Sequence, residues 1–417
     1  MDKLIVNGTA NLKGSINIYG AKNAALPIMA CSLLSDQNLK LNNLPNVEDI
    51  NSMKKLLYNF GSNIITKKRS IIIKNNRVKN KLADYDLVRK MRASILVLGP
   101  LLSRFKEAKI SMPGGCSIGT RPIDLHLFAL SKLGAKFKYK DGYVIGKVNG
   151  TLNGASIVFP RKSVGATENS IMAAVLAKGN TEIINAAKEP EVFDLCNCLN
   201  SMGATITGHG TSKIKIKGVE KLYSSNHNII SDRIVAGTFI IAAILLNKTF
   251  IIRNFNTQNL DSLFNVLEKM GAQMKIKSNS VKIFPSRPLK GITLTTKPYP
   301  GFPTDLQAQI MTLMSVANGK SQIKENIFEN RFMHVPELNR LGADIKIKND
   351  VAYINGNRQF KGAQVMASDL RASVSLVLAG LSAYGKTTIN RVYHLDRGYE
   401  KIEKTLGKCG PKIKRLT

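Results

Sequence analysis

The segment MPGGCSIGTRPIDLH, residues 112–126, sets one thiol, Cys116, among three glycines, Gly114, Gly115 and Gly119. Arg121, Pro122, Ile123, Asp124, Leu125 and His126 follow directly. Glycines at this density weaken any helix or strand, so the run predicts an exposed, movable loop and not a core segment. A thiol there can deliver a proton as an acid or attack as a thiolate, and nearby cations such as Arg121 favour the thiolate. The residue types leave both chemistries open.

A second set of polar residues gathers where apolar stretches begin. Lys22 and Asn23, Arg92, Thr167 and Glu168, Asp232 and Arg233, Asp305 and Gln307, and Asp369 and Arg371 each precede or open such a stretch. Helices that begin at one end of a domain aim their free N–H groups and positive dipole ends the same way, which makes an anion-binding face. Asp232, Glu168 and Gln307 fit a helix cap or surface ion pair as well as a functional role. Lys22, Arg92, Asp305, Asp369 and Arg371 adjoin apolar runs where solvent is scarce, which favours function, and Arg397 in HLDRGYE adds a further cation. Several cations beside two carboxylates suit a ligand bearing phosphate and carboxylate, with a base for a hydroxyl. His126, His334 and His394 read as local hydrogen-bonding groups.

The elements that must hold these residues repeat. KLGA at Lys132–Ala135 returns as SMGA, KMGA and RLGA ending at Ala204, Ala272 and Ala343, with worn copies NFGS near Gly61 and KCGP near Gly410. Six copies of one unit follow, at intervals of roughly 70 residues. Each has an apolar helix (AALPIMACSLL, RASILVLGPLL, NSIMAAVLA, IVAGTFIIAAILL, AQIMTLMSVA, RASVSLVLAGLSA), then a strand such as NTEIINA or KTTINRVY. An amphipathic helix such as DSLFNVLEKMG comes next, ending on a glycine, and two alternating strands as in AQMKIKSNSVKIF complete the unit. Apolar helices belong inside and sheets outside, with three units sharing each core. The run GLSAYGKT at Gly380–Thr387 matches a phosphate-loop pattern, but it ends a helix and opens a strand, the reverse of the required order.

Composition narrows the class. The chain has 417 residues, 44% hydrophobic and 21% charged, which is globular. The start MDKLIVNGTANLKG lacks the apolar run of a signal peptide, and IVAGTFIIAAILLN is too short to span a bilayer, so a soluble, cytoplasmic protein is expected. Five cysteines, among them Cys196 and Cys198 with no second pair at zinc spacing, predict neither a disulfide framework nor a metal site. The net charge of +33 would attract anions, but its lysines are scattered through strands such as KIKIKG without interleaved aromatic residues. An anionic small substrate is expected, and neither nucleic acid nor membrane.

The runs GAKNAALPIM, PGGCSIGTRPIDLH, SVGAT, FPTDLQAQ, FENRFMHVPEL, DLRAS and HLDRGYE, taken in order along the whole chain, resemble the UDP-N-acetylglucosamine enolpyruvyl transferases of the enolpyruvyl transferase superfamily. The resemblance implies an α/β fold, a two-lobed inside-out α/β barrel with six repeats of a βαβαββ-type unit, three per lobe. One lobe would be residues 22–230 with the cysteine loop, the other residues 1–21 and 231–417, with the active site in the cleft between them. It implies transfer of the enolpyruvyl group of phosphoenolpyruvate to the 3-hydroxyl of UDP-N-acetylglucosamine with release of phosphate. That reaction is the first committed step of peptidoglycan synthesis and so bears on cell shape and division. No cofactor and no metal is implied.

By the same resemblance Lys22, Arg121 and Arg397 would hold phosphoenolpyruvate. Asn23, Arg92, Arg121, Pro122, Ile123, Asp124 and Leu125, with Arg161, Lys162, Ser163, Val164 and Gly165, would hold the nucleotide sugar. Asp305 would contact the sugar hydroxyl as general base, Ile327 would line its site, Asp369 would assist proton movement, and Arg371 joins the binding set. Cys116 would deliver a proton to the methylene carbon, with a covalent adduct to phosphoenolpyruvate and alkylation by fosfomycin as its nucleophilic side. The chain departs from the family at Arg161, commonly lysine, and at Gly410-Pro411, commonly Gly-Ala. Two rivals remain: the sister enzyme acting on shikimate 3-phosphate, which lacks the cysteine loop, and a basic RNA-binding protein.

Overall fold

The computed structural model describes residues 2–89, 91–112 and 122–417, so Cys116 and Arg121 lie outside the described residues. The described chain forms two compact units, one within Tyr19–Gly115 and Arg121–Ile230, the other within Met1–Ile18 and Ser231–Thr417. Each unit has a hydrophobic core of its own.

Among the described residues six four-stranded sheets share one plan. In one of them Ser156–Val158 runs parallel to Asn180–Ile184, which pairs antiparallel with Lys213–Lys217, and that strand pairs antiparallel with Thr205–Thr207. The parallel pair is joined through the helix Val164–Ala174, and the helix Pro190–Ser201 leads to the last two strands. The strand KIKIK shows how a lysine-rich strand fits the sheet: Ile214 and Ile216 are buried while Lys213, Lys215 and Lys217 are exposed.

Apolar helices fill the centres of both units. Lys22–Cys31, Leu98–Phe105 and Val164–Ala174 serve one, and Arg233–Leu245, Gln307–Val316 and Leu370–Ser382 the other. In Arg233–Leu245 every residue but Val235 is buried, as a helix apolar on all faces requires. Two of the six begin more tightly than the pattern predicts: Arg92–Val97 and Thr304–Leu306 are 3-10 turns that run into the helices after them. Both segments therefore present Arg92 and Asp305 from a narrower turn than an α-helix would.

The six repeated glycines all occupy left-handed backbone, with φ of 100° at Gly61, 103° at Gly134, 101° at Gly203, 91° at Gly271, 100° at Gly342 and 111° at Gly410. Each follows an amphipathic helix, where glycine alone adopts this geometry without cost. Gly385 (φ 85°) plays a different part, turning the chain from Leu370–Ser382 into the strand Lys386–Asn390. The GLSAYGKT run is thus a helix-to-strand turn, as its sequence context predicts.

Chain crossing closes the sheets. Ser15–Asn17 pairs with Phe250–Arg253, and Lys3–Asn7 lies between Lys386–Asn390 and Ile413–Leu416. In the other unit Ser225–Asn228 pairs with Leu39–Asn42, far earlier in the chain.

Close backbone contact marks the seam of a repeat at Gly218, whose N–H donates to the Gly179 carbonyl at 2.9 Å. A Cβ built on Gly218 would stand 1.7 Å from the Ala177 carbonyl oxygen, whereas one on Gly150 would meet nothing within 4 Å. Gly218→Ala should therefore lose at least ~3 kcal/mol of stability and Gly150→Ala, at φ 77°, only about 1 kcal/mol. Urea unfolding of both variants checks the difference, and equal midpoints would contradict it.

Candidate active site

Two of the candidate residues, Asp305 and Arg371, meet in the unit built on Ser231–Thr417, together with Arg331. Asp305, in its 3-10 turn, accepts from Arg331 Nη2 at Oδ1 over 2.6 Å and from Arg371 Nη2 at Oδ2 over 3.0 Å. Both guanidiniums are almost wholly buried, while the Asp305 side chain keeps 29% of its surface exposed. Burial opposes the charge on Arg371, but Asp305, Tyr399 and Asp232 outweigh it and hold its pKa above the ordinary arginine value. Asp305 is a carboxylate with one open side and two fixed cations behind it. Taking up a proton from a hydroxyl means loosening one of these ion pairs.

Asp369 caps its own helix, its Oδ1 accepting from the Arg371 N–H at 2.8 Å and the Ala372 N–H at 3.2 Å. Asp232 does the same for Arg233–Leu245, at 2.9 Å to Ile234 and 3.0 Å to Val235. Arg233 is buried and lies 5.4 Å from the Tyr299 ring centroid. Gln307 is neither cap nor surface residue: its side chain is fully buried. Ile327 is half-buried in a loop shaped by Glu325, whose Oε1 accepts from the Ile327 N–H at 2.9 Å and whose Oε2 accepts from Thr304 Oγ1 at 3.0 Å. Arg397 is half-buried and lowers the pKa of His394 after burial has done so.

In the unit built on Tyr19–Ile230, Lys22 is buried and pairs with Asp49 through a 3.0 Å contact. A buried pair of this kind leaves either member stranded if the other is removed, at about 3–5 kcal/mol. Asn23 beside it is exposed, and Arg92 is half-buried. Arg161 Nη2 donates to Asp124 Oδ2 at 3.1 Å, both side chains exposed, so two members of the nucleotide-sugar set do come together. Between them, Ile123 and Leu125 are core side chains, leaving only their backbone to meet a ligand. Pro122, Lys162 and Val164 are exposed, Gly165 is half-buried, and Ser163 caps its helix through the Ala166 N–H at 3.3 Å. Glu168 is buried; desolvation, then Glu191 and Glu189, push its pKa well above the usual carboxylate value, which disfavours its charged form. Thr167 Oγ1 accepts from the Ala187 N–H at 3.1 Å.

Sequence reasoning missed Arg331, Asp49 and Glu325. Arg331 stands within the run FENRFMHVPEL, but nothing in its spacing ties it to Asp305. Asp49 opens an amphipathic helix and reads there as a dipole partner. Among the described residues no His, Cys, Asp or Glu group could hold a metal ion, and Cys31, Cys196 and Cys198 are buried. No described helix is long and apolar enough to cross a membrane.

Sheets outside and apolar helices inside are the fold of solved enolpyruvyl transferases. The same fold is seen in the enolpyruvyl transferase NikO from Streptomyces tendae, with a TM-score of 0.92 at 23% identity over 100% of this chain and 99% of that one. It recurs in EPSP synthase from Acinetobacter baumannii, with a TM-score of 0.76 at 19% identity over the whole of both chains. The family model for EPSP synthase (3-phosphoshikimate 1-carboxyvinyltransferase) matches residues 6–406. Sequence relatives are nearer: proteins named UDP-N-acetylglucosamine 1-carboxyvinyltransferase from Pelagibacter ubique (strain HTCC1062), 53% identical over 416 residues, and Granulibacter bethesdensis (strain ATCC BAA-1260 / CGDNIH1), 50% over 419. Both matches cover 100% of each chain. The chain belongs to the enolpyruvyl transferase superfamily, and within it to the UDP-N-acetylglucosamine 1-carboxyvinyltransferase family.

His334 lies beside this site, buried near Asp369 and bonded to the Arg331 backbone. Burial lowers its pKa to about 4, against the pull of Asp369. The native state then binds fewer protons here than the unfolded chain between pH 6.5 and 4, so stability is present above 6.5 and is lost as pH falls. The loss amounts to about 3 kcal/mol at the low end. Urea unfolding at pH 7 and pH 4.5 should show this fall in the native chain and a smaller one in His334→Gln; parallel pH dependence in both would refute it.

Proposed function

We propose that this chain transfers the enolpyruvyl group of phosphoenolpyruvate to the 3-hydroxyl of UDP-N-acetylglucosamine, releasing phosphate, as the first committed step of peptidoglycan synthesis in the cytoplasm. The observation that carries the reading is the 53% identity, over 416 residues and the full length of both chains, to a relative bearing that activity in its name. Fold and helix-start charges agree with it and by themselves would suit the shikimate 3-phosphate enzyme equally.

In this reading the charged residues at the helix starts serve one reaction. Lys22, Arg121 and Arg397 neutralise the phosphate and carboxylate of phosphoenolpyruvate, which charge-assisted bonds do best where water is scarce. Arg92, Asn23, the 121–125 run and residues 161–165 hold the nucleotide sugar, and Arg371 keeps Asp305 in place. The acceptor oxygen bonds to the phosphate-bearing carbon as Asp305 takes the hydroxyl proton, and Cys116 delivers a proton to the methylene carbon. Loss of a proton from that carbon then expels phosphate and restores the double bond, with Asp369 assisting proton movement. Fosfomycin, an epoxide phosphonate resembling the donor, alkylates the Cys116 thiolate.

Phosphate release from phosphoenolpyruvate, assayed with UDP-N-acetylglucosamine and separately with shikimate 3-phosphate, tests the reading. Release with the sugar nucleotide alone is expected; release with shikimate 3-phosphate alone would replace it with the sister activity, and release with neither would leave a binding protein. If Cys116 acts chiefly as an acid, Cys116→Asp should retain substantial turnover and resist fosfomycin, while Cys116→Ser should lose about 100-fold or more. A folded, sugar-binding but inactive Cys116→Asp would make the covalent adduct obligatory instead. Arg397→Ala should weaken phosphoenolpyruvate by ~2–4 kcal/mol and the nucleotide sugar far less. Equal losses in a steady-state titration of the two substrates would reject that assignment.

A further inference from the structure

Behind Asp305 lies a buried polar set of which the proposed reaction gives work to Arg371 alone. Thr238 is on the helix Arg233–Leu245, Gln309 lies in the first turn of Gln307–Val316, Arg371 in the first turn of Leu370–Ser382, and Tyr399 follows Arg397 by two positions. All four are buried.

Counting donors orients their hydrogen bonds. Thr238 has one hydroxyl proton, and the Ile234 carbonyl, 2.9 Å away, can only accept it. Thr238 Oγ1 must then accept from its other neighbours, Gln309 Nε2 at 3.1 Å and the Tyr399 hydroxyl at 2.8 Å. Gln309 Nε2 also donates to the Asp305 backbone carbonyl at 3.0 Å. Because both partners of that nitrogen are acceptors, the amide has only one consistent orientation. With its own proton on Thr238, Tyr399 Oη is an acceptor toward Arg371 Nη1 at 3.4 Å. Arg371 Nη2 holds Asp305 Oδ2 at 3.0 Å. Asp305 is therefore gripped twice from one node, at its main chain through Gln309 and at its carboxylate through Tyr399 and Arg371. Burial raises the Tyr399 pKa, with Arg371 opposing, so the phenol keeps the proton this arrangement needs.

We propose that Tyr399 is a positioning residue for enolpyruvyl transfer: its hydroxyl, anchored on Thr238, sets the rotation of the Arg371 guanidinium and thereby the angle at which the Asp305 carboxylate meets the acceptor hydroxyl. The inference rests on the reading of Asp305 as the base for that hydroxyl. Small displacements of a catalytic group carry large rate effects, because proton transfer depends on hydrogen-bond distance and alignment.

Tyr399→Phe removes the hydroxyl and nothing else. Turnover with phosphoenolpyruvate and UDP-N-acetylglucosamine, normalised to sites counted by calorimetric binding of UDP-N-acetylglucosamine, should fall about tenfold or more, with both KM values within about twofold of native. Normalising to binding sites removes any loss of folded protein. Native turnover per site, or a loss confined to KM, overturns the proposal. Thr238→Val and Thr238→Ser give a second arm that survives poor folding of Tyr399→Phe. Thr238→Val should fall in turnover and Thr238→Ser, which keeps the hydroxyl, should not; equal losses in both would assign the effect to packing and overturn it. Asp305→Asn separates the two claims. If it keeps native turnover, the reading of Asp305 fails and this inference with it; if it is inactive beside a fully active Tyr399→Phe, this inference alone fails.

Discussion

Helices apolar on every face impose the constraint from which the rest of the structure follows. A helix such as Arg233–Leu245 has no solvent side, so it lies at the centre of its unit and the sheets close over it. Beyond its first turn Thr238 is its one polar side chain, so little polar chemistry can sit along its flanks. The first turns are what remain, where backbone N–H groups lack helical partners and must be met by side chains or by a ligand. Asp232, Asp369 and Ser163 meet them in three of the helices.

Buried polar groups at these starts are managed by pairing or by neutrality. Lys22 and Asp49 pair, and Asp305 is shared between Arg331 and Arg371. Glu168 and His334 take the other course, burial disfavouring the charged form of each. The positive surface of the protein arises elsewhere, on outward sheet faces such as Lys213–Lys217, where lysine is solvated and costs little. The net charge and the paired charges at the helix starts are separate features of this chain.

The repeated architecture also explains the misleading phosphate-loop pattern. Every unit needs a left-handed or tight turn between its central helix and the next strand, and Gly385 supplies one inside GLSAYGKT. The residues match a nucleotide motif because both uses call for a flexible backbone, but here the helix precedes the turn.

Periodicity made the six units legible in the sequence, because a glycine forced into left-handed backbone at each amphipathic helix end leaves the same short phrase six times over. The placement of charged residues at helix starts was legible for a similar local reason: Lys22, Arg92, Asp305, Asp369 and Arg371 each stand next to their own apolar run. Strand exchange was not, since Lys3–Asn7 and Ser225–Asn228 find partners hundreds of positions or a whole unit's length away, and nothing local in a short strand names its neighbour. The same holds for partner choice at the site. Whether Asp305 would pair with Arg331 and Arg371, Lys22 with Asp49, or Tyr399 with Thr238 depended on distances that exist only once the helices are packed side by side, because an ion pair or hydrogen bond is decided within about 3 Å and chain separation says nothing about it.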